Sequence, residues 1–130
     1  MSSIFSKIIA GEIPGFKILE DENFYAFLDI MPLASGHTLV VPKIEMDYIF
    51  DLDNQLLSAA LPFAKKVASA MERAIPCQRI GIAVIGLEVP HAHIHLIPLQ
   101  TMDDINFSKP KLKMTQQELT NIAEKIKSFL

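Results

Sequence analysis

The sequence predicts an α+β domain in which five mostly antiparallel strands pack against two main helices. Two observations support this fold class. Five short apolar runs are bounded by turn residues or proline, and two longer stretches place apolar residues at helical spacing. A chain of 130 residues, half of them hydrophobic, can bury a core without disulfides. We therefore expect a single domain that spans residues 1–130.

The start of the chain predicts a helix followed by a β-hairpin. Ser3 is suited to cap a helix that ends at Gly11. The apolar residues of this helix fall at helical spacing: Ile4, Phe5, Ile8 and Ile9. Strands at 16–19 and 24–28 follow, and the polar turn between them favours an antiparallel hairpin.

The middle of the chain predicts a third strand and the longest helix. The strand covers residues 37–41 and ends at a proline, which cannot continue a central ladder. Asp53 or Asn54 then caps a helix that runs to about Ala74. Pro62 lies inside this helix, and we expect it to kink the helix without ending it.

Two more strands and a closing helix complete the predicted elements. Residues 79–85 are nearly all apolar, which is typical of a strand buried on both faces. The fifth strand covers residues 91–97 and again ends at a proline. The last helix begins with a capping box, in which Thr115 is the cap and Glu118 the third helical residue.

The fifth strand carries three histidines at alternate positions, His91, His93 and His95. Side chains alternate across a strand, so the three imidazoles share one face while the apolar residues between them point into the core. Buried imidazole nitrogens need hydrogen-bond partners, which makes such a row poor core material. The pattern therefore indicates an active site rather than a solvated strand face that happens to be rich in histidine.

The residues alone leave two chemistries open for this row. The imidazoles could bind a transition metal, for which neutral histidine is a common ligand. Alternatively, one histidine is a nucleophile or general base that its neighbours orient. Apart from Glu88, no acidic or thiol side chain accompanies the row, which favours catalysis without a metal. His37, at the start of another strand, supplies a fourth imidazole.

Composition restricts the partners and the location of the protein. A net charge of −3 argues against nucleic acid or an anionic membrane as the partner. Three alternating lysines, Lys109, Lys111 and Lys113, are more typical of a solvated stretch than of a nucleic-acid patch. Cys77 is the only cysteine, so we expect no intrachain disulfide and no cysteine-based zinc cluster. The start of the sequence does not read as a signal peptide and no apolar run reaches about 20 residues, so we expect a cytoplasmic protein.

Four motifs, in order along the chain, resemble the histidine-triad, or HIT, family of nucleotide hydrolases and transferases. Residues 91–97 fit the family signature His-φ-His-φ-His-φ-φ, in which φ is apolar. Residues 4–14 resemble the opening helix of the family, 27–32 its ribose-binding strand and 36–43 the strand that follows. The branch most resembled is that of the Hint-like nucleoside phosphoramidases. The resemblance implies the HIT fold and a homodimer in which pairing extends the sheet.

The resemblance also implies a role for each polar site residue. His93 would attack the α-phosphorus of a nucleotide and form a nucleotidyl-histidine that water hydrolyses, which suits a neutral imidazole near pH 7. His95 would assist charge and proton movement at the leaving group, while His91 and His37 would polarise the site from behind it. Asp29 would grip the ribose hydroxyls, because a carboxylate accepts two hydrogen bonds.

The remaining nucleotide contacts implied by the resemblance are mostly apolar. Residues that match the purine wall are Ile4, Phe5, Ile8, Phe27, Leu28 and Ile30. As bare apolar residues these equally suit a core. Glu88 stands where a phosphate-facing hydroxyl is expected, so it belongs to the predicted nucleotide site. We expect it to pair with a lysine or to hold a histidine such as His37 or His91 in the charged form.

The departures from the family pattern affect cofactors and substrate. Many members have zinc ligands, two cysteines and a histidine, where this chain has Ser3, Ser6 and Glu45, so we expect neither metal nor other cofactor. The segment 86–88 lacks the glutamine and hydroxyl that contact phosphate in the family. Two alternatives to a phosphoramidase therefore stay open: a dinucleoside polyphosphate hydrolase, and a nucleotide-binding regulatory module with weak catalysis.

Overall fold

A five-stranded antiparallel sheet organises the protein, seen in a computed structural model that describes residues 2–130. The helices of these residues are α1 (Ile4–Ile9), α2 (Asn54–Ala74) and α3 (Gln116–Lys127). The strands are β1 (Lys17–Glu20), β2 (Phe24–Leu28), β3 (Thr38–Pro42), β4 (Arg79–Ala83) and β5 (Ile94–Leu99). Single 3-10 turns cover Ile49–Asp51 and Met102–Ile105. The predicted α+β class is confirmed.

The order of strands places the histidine-bearing strand inside the sheet. Spatially the order is β1-β2-β3-β5-β4, and every neighbouring pair is antiparallel. His95 on β5 lies opposite Leu39 of β3 on one side and opposite Ala83 of β4 on the other. Pairing on both sides fixes the backbone on which His95 is carried, which suits a residue that must hold one orientation.

The two faces of the sheet are covered differently. Helices α2 and α3 pack on one face, where alternate residues of β2, β3 and β5 join them in the larger apolar core. The other face carries a smaller apolar cluster with α1, formed by Phe5, Tyr25, Phe27, Leu39 and Val41. Because His95 pairs with Leu39, its side chain lies on this α1 face. Of the helices that residues 2–130 form, none has the length and hydrophobicity that crossing a membrane requires.

The predicted helix starts are confirmed by their caps. Ser3 Oγ accepts from the backbone N–H of Ser6 at 3.0 Å. Asp53, one of the two alternatives, caps α2, which continues through Pro62 as predicted. Thr115 opens α3 with the expected capping box. These local side-chain contacts satisfy backbone N–H groups that have no partner inside the helix.

Strand β4 corrects one prediction. It ends at Ala83, not at residue 85, and it is not buried on both faces. Because β4 is an edge strand that pairs with β5 alone, much of it stays open, and Ile82 is 52% exposed. Val84 and Ile85, beyond the end of the strand, are also exposed.

Strand β5 corrects another prediction, because it begins at Ile94 and not at His91. The last pair of its ladder with β3 joins Ile94 to Val40, and two more steps of that register would place Ala92 opposite Pro42, which has no N–H to donate. The backbone N–H of Ala92 donates to the carbonyl of Met46 instead, at 2.7 Å. The first two histidines of the row therefore lie just before the strand.

We predict that Val67→Ala lowers the free energy of unfolding by about 1–3 kcal/mol, the cost of deleting two buried methyl groups. Val67 is completely buried in the core between α2 and the sheet. Urea unfolding measures the change, and the exposed neighbour Lys66 provides the control Lys66→Ala. Equal unfolding midpoints for the two variants would contradict this description of the core.

Candidate active site

All three histidines of the row are buried, at 0% exposure for His91, 7% for His93 and 8% for His95. Buried imidazoles are tolerated only when their nitrogens have partners. Among residues 2–130 no fully enclosed side-chain nitrogen or oxygen lacks a hydrogen bond. The row is therefore stabilised by specific contacts rather than by solvent.

His91 is held at both ring nitrogens. Nε2 lies 2.8 Å from the carbonyl oxygen of Pro42, and Nδ1 lies 2.7 Å from Ser3 Oγ. A carbonyl oxygen can only accept, so Nε2 carries the hydrogen and Nδ1 of the neutral ring accepts from the serine hydroxyl. Burial lowers the pKa of His91 below its ordinary value, which favours this neutral form.

His93 takes the opposite tautomer. Its Nδ1 lies 2.8 Å from the backbone carbonyl oxygen of His91, so Nδ1 carries the hydrogen and donates it. The neutral ring then has its lone pair on Nε2, which has no hydrogen-bond partner within the described part of the chain and is not fully enclosed. Phe5 packs edge-on against this ring, with centroids 5.0 Å apart. The arrangement presents an open, oriented imidazole nitrogen.

His37 and His95 form a hydrogen-bonded pair next to His93. The backbone N–H of Leu33 donates to His37 Nδ1 at 3.0 Å, so neutral His37 carries its hydrogen on Nε2. That nitrogen lies 2.9 Å from His95 Nδ1, which accepts, and the hydrogen of His95 is therefore on Nε2. The rings of His93 and His95 lie 4.8 Å apart. The lone pair of His93 Nε2 and the hydrogen of His95 Nε2 thus belong to neighbouring rings.

The electrostatics keep this pair neutral. Burial, reinforced by neighbouring His95, lowers the pKa of His37 to about 3, and burial also lowers the pKa of His95 to about 4. His37 Nε2 is 3.7 Å from Asp29 Oδ2. This contact is too long for a hydrogen bond, and because His37 is neutral near pH 7 it is not an ion pair.

Asp29 is fixed at the end of β2. Its Oδ1 accepts from the backbone N–H of Met31 at 2.9 Å, and its own N–H donates to the carbonyl of His37 at 2.9 Å. Burial raises the pKa of the carboxyl group above its ordinary value. The Asp29 side chain is 22% exposed, so the carboxylate can still meet a ligand.

Two groups of residues contain side chains of the kind that could bind a metal, or stand where related proteins bind one. Asp29, His37 and His95 offer three ligand atoms within 4.8 Å of one another, but the two ring nitrogens already share a hydrogen bond. At the positions of the family zinc site, Glu45 accepts from the backbone N–H of Ser3 and from the hydroxyl of Ser6, the latter at 2.7 Å. Hydroxyls are poor substitutes for the thiolates that zinc favours, so this donor set does not fit the metal.

The residues that the resemblance places around the purine divide into three groups. Those in the apolar cluster of the α1 face are Phe5, Phe27 and Ile8. Ile4 and Ile30 are exposed, at 49% and 60%. Leu28 lies in the core beneath α2 and α3, on the opposite face from His95, because side chains alternate along β2. The structure does not bring the Leu28 side chain to the histidines.

Glu88 corrects an expectation about charge. It is exposed on the loop between β4 and β5, and no lysine or arginine of residues 2–130 lies within ion-pair distance of it. His37 and His91, which Glu88 was expected to hold charged, both have lowered pKa values because they are buried. The negative charge of Glu88 acts instead on Asp29, whose pKa it raises further, after burial.

Sequence reasoning missed two residues that approach the site from the segment before α3. The Phe107 ring lies edge-on to His95, with centroids 4.7 Å apart. Lys111, expected on a solvated stretch, is half-buried, and its Nζ donates to the carbonyl of Phe107 at 2.8 Å. An aromatic residue between two polar ones was the only local signal for this contact.

The fold and the site together define a class of protein: a small α+β protein with a sheet that carries buried, hydrogen-bonded imidazoles and one open ring nitrogen. The model of the HIT domain family matches residues 10–102. The chain therefore belongs to the HIT family, as its four motifs indicated.

The similar proteins include enzymes and solved structures. An adenosine 5'-monophosphoramidase of Saccharomyces cerevisiae is 44% identical over 73% of this chain, which spans 61% of that protein. An adenosine 5'-monophosphoramidase of Schizosaccharomyces pombe is 34% identical, and the alignment covers 98% of each chain. A HIT-like protein from Bartonella henselae has 31% identity and a TM-score of 0.85, covering 99% of this chain and 96% of that one.

We predict that stability falls as the pH is lowered from 7 to 5. His37, His91 and His95 have pKa values below the roughly 6.5 of an unfolded histidine, so the unfolded state binds more protons in this range. Their contribution is complete above pH 6.5 and is lost as the pH falls towards the folded values. Urea unfolding midpoints at several pH values measure it, and His95→Gln should weaken the dependence. A flat profile in the wild type would show that these rings are not held neutral.

Proposed function

We propose that this protein cleaves a purine nucleoside phosphoramidate, or a related nucleotide, at the α-phosphate through a nucleotidyl-histidine on His93. The observation that carries the proposal is the hydrogen bond from His93 Nδ1 to the His91 carbonyl, which leaves the Nε2 lone pair open. The two similar adenosine 5'-monophosphoramidases support the class of substrate. The donor set at Ser3, Ser6 and Glu45 gives no support to a reaction that needs zinc.

In the first step His93 Nε2 attacks the α-phosphorus. The new N–P bond forms as the bond from phosphorus to the leaving amine breaks, and the amine departs with the electron pair and takes a proton from solvent. The imidazole keeps its hydrogen on Nδ1 and so becomes positively charged. The His91 carbonyl accepts from that hydrogen at 2.8 Å and stabilises the charge.

His95 assists as a neutral hydrogen-bond donor. Its hydrogen is on Nε2, beside His93, where a phosphoryl oxygen of the substrate would accept it. A pKa of about 4 keeps this ring neutral at pH 7, so it stabilises charge rather than supplying a proton. In the second step water attacks phosphorus, His93 Nε2 departs as the neutral ring, and the proton of water returns to solvent.

The nucleoside is assigned to the neighbouring surface. The partly exposed carboxylate of Asp29 suits the two ribose hydroxyls, because one carboxylate accepts two hydrogen bonds. Phe5 and Phe27 offer an apolar wall beside His93, and the exposed Ile4 and Ile30 offer further apolar surface for a purine. Leu28 supports the nucleoside site only through its packing in the core and does not contact the nucleoside.

A second candidate function is a nucleotide-binding module with weak catalysis. The loop at 84–90 favours it, because the exposed Glu88 brings negative charge near Asp29 and the loop has no hydroxyl or amide side chain to meet a phosphate. A dinucleoside polyphosphate hydrolase has no comparable support. Covalent labelling separates the first two functions, since a binding module retains the nucleotide without forming a bond to His93.

We predict that His93→Ala abolishes turnover and covalent labelling but leaves the fold and the binding of AMP largely intact. The ring lies on the α1 face, outside the core beneath α2 and α3, so its removal leaves that core intact. Single-turnover labelling with an α-³²P nucleotide, followed by peptide mapping, measures the bond to His93. A substantial fraction of wild-type activity in the variant would refute the assignment.

We further propose that the protein acts as a cytoplasmic homodimer, with a small-molecule nucleotide as its substrate. Exposed apolar side chains line one continuous groove beside the edge strand: Tyr48, Phe50, Leu61, Ile82, Val84, Ile85 and Leu87. The free backbone groups of β4 lie at the same edge, where a second copy would extend the sheet. A patch of this kind supports an interface between subunits.

We predict a dimer in sedimentation equilibrium at micromolar concentration and a monomer for Ile82→Glu, because a carboxylate would be buried in the interface. Met102, 91% exposed and outside the groove, provides the control Met102→Glu. A wild-type monomer, or equal dissociation of both variants, would contradict the proposed interface.

A further inference from the structure

The segment between β5 and α3 folds back over the histidines. The Phe107 ring lies edge-on to His95, with centroids 4.7 Å apart, and its centroid is 6.4 Å from that of His37. The backbone N–H of Leu112 donates to the carbonyl of Pro32 at 2.8 Å, which ties the segment to the loop after β2. This segment therefore forms one wall of the candidate active site.

The ammonium group of Lys111 is held in this wall. Nζ donates to the carbonyls of Phe107 at 2.8 Å and Lys109 at 3.3 Å, and it lies 5.9 Å from the centroid of the Phe107 ring. An ammonium has three N–H groups, so one stays free for a ligand. Within residues 2–130 no carboxylate lies within 4.0 Å of Nζ, whereas Lys109 pairs with Asp103 at 3.3 Å.

The positive charge of Lys111 affects the pKa values of three residues of the candidate active site. Burial is the largest influence on Asp29, His37 and His95, and Lys111 lowers the pKa of each of the three in addition. The geometry agrees with this influence, because Nζ lies 5.9 Å from the centroid of the Phe107 ring, which itself packs edge-on against His95. Its position is fixed by two backbone carbonyls and not by an opposite charge.

A cation is needed at this place if the substrate is a nucleotide. The phosphoryl group is an anion, and it would meet the negative charges of Asp29 and Glu88 on the same side of the molecule. His37 and His95 are neutral, so they offset none of this charge. Lys111 is the residue of the wall that can do so with a directed hydrogen bond.

We propose that Lys111 is a specificity-determining residue, which binds an anionic phosphoryl oxygen of the substrate with its free N–H. The proposal rests on the proposed function and names the residue that selects a charged phosphoryl group. Phe107 positions the ammonium through its carbonyl and the face of its ring.

The test compares Lys111→Met with Lys113→Met, an exposed lysine of the same segment. We expect Lys111→Met to raise both the KM for adenosine 5'-phosphoramidate and the Kd for AMP by about ten- to a hundredfold, the range for a hydrogen bond to a charged group. Its KM should also depend less on salt concentration. Lys111→Arg should restore most of the affinity, and Lys113→Met should behave as the wild type.

Three results would overturn the proposal. Equal constants for Lys111→Met and Lys113→Met would show that the ammonium does not meet the substrate. A fall in kcat alone, with unchanged salt dependence and no rescue by arginine, would show that Lys111 only supports the wall. An effect confined to substrates with an anionic leaving group would move the contact away from the phosphoryl group. Failure of the wild type to bind AMP would instead refute the proposed function itself.

Discussion

The hydrogen bond from His93 Nδ1 to the carbonyl oxygen of His91 is the interaction on which the site depends. A carbonyl cannot donate, so this contact places the ring hydrogen on Nδ1 and the lone pair on Nε2. The other tautomers follow in the same way. The carbonyl of Pro42 fixes the ring hydrogen of His91 on Nε2, and the backbone N–H of Leu33 fixes that of His37 and, through it, that of His95. The ring hydrogens of the four buried imidazoles thus form one consistent set, and burial lowers the pKa values of His37, His91 and His95, which favours their neutral forms.

The rest of the structure holds that backbone carbonyl in position. The His91 side chain donates to the carbonyl of Pro42, at the end of β3. The backbone of His91 does not pair in the sheet, because β5 begins only at Ile94. Helix α1 closes the other side, where Ser3 donates to His91 and Glu45 accepts from the helix start. These contacts join α1, the end of β3 and the row of histidines into one hydrogen-bonded unit, with hydroxyls and a carboxylate in place of metal ligands.

The sequence predicted correctly those features that depend on neighbouring residues alone. The caps at Ser3, Asp53 and Thr115, the antiparallel sheet and the shared face of the histidines followed from spacing and side-chain type. The contacts of Phe107 and Lys111 did not follow, because they depend on how a segment without regular structure returns across the sheet. The exposure of β4 could not be predicted either. An apolar run of this kind is typical both of a central strand and of an edge strand that lacks a partner, so the sequence does not distinguish them.

The measurement that tests the account most directly is a long-range ¹H–¹⁵N NMR spectrum of ¹⁵N-histidine-labelled protein at pH 8, where an ordinary imidazole is neutral. We predict the Nδ1–H tautomer for His93 and the Nε2–H tautomer for His37, His91 and His95. A ring of His93 protonated on Nε2, or two tautomers in rapid exchange, would contradict it, because the nitrogen that must attack phosphorus would then carry a hydrogen.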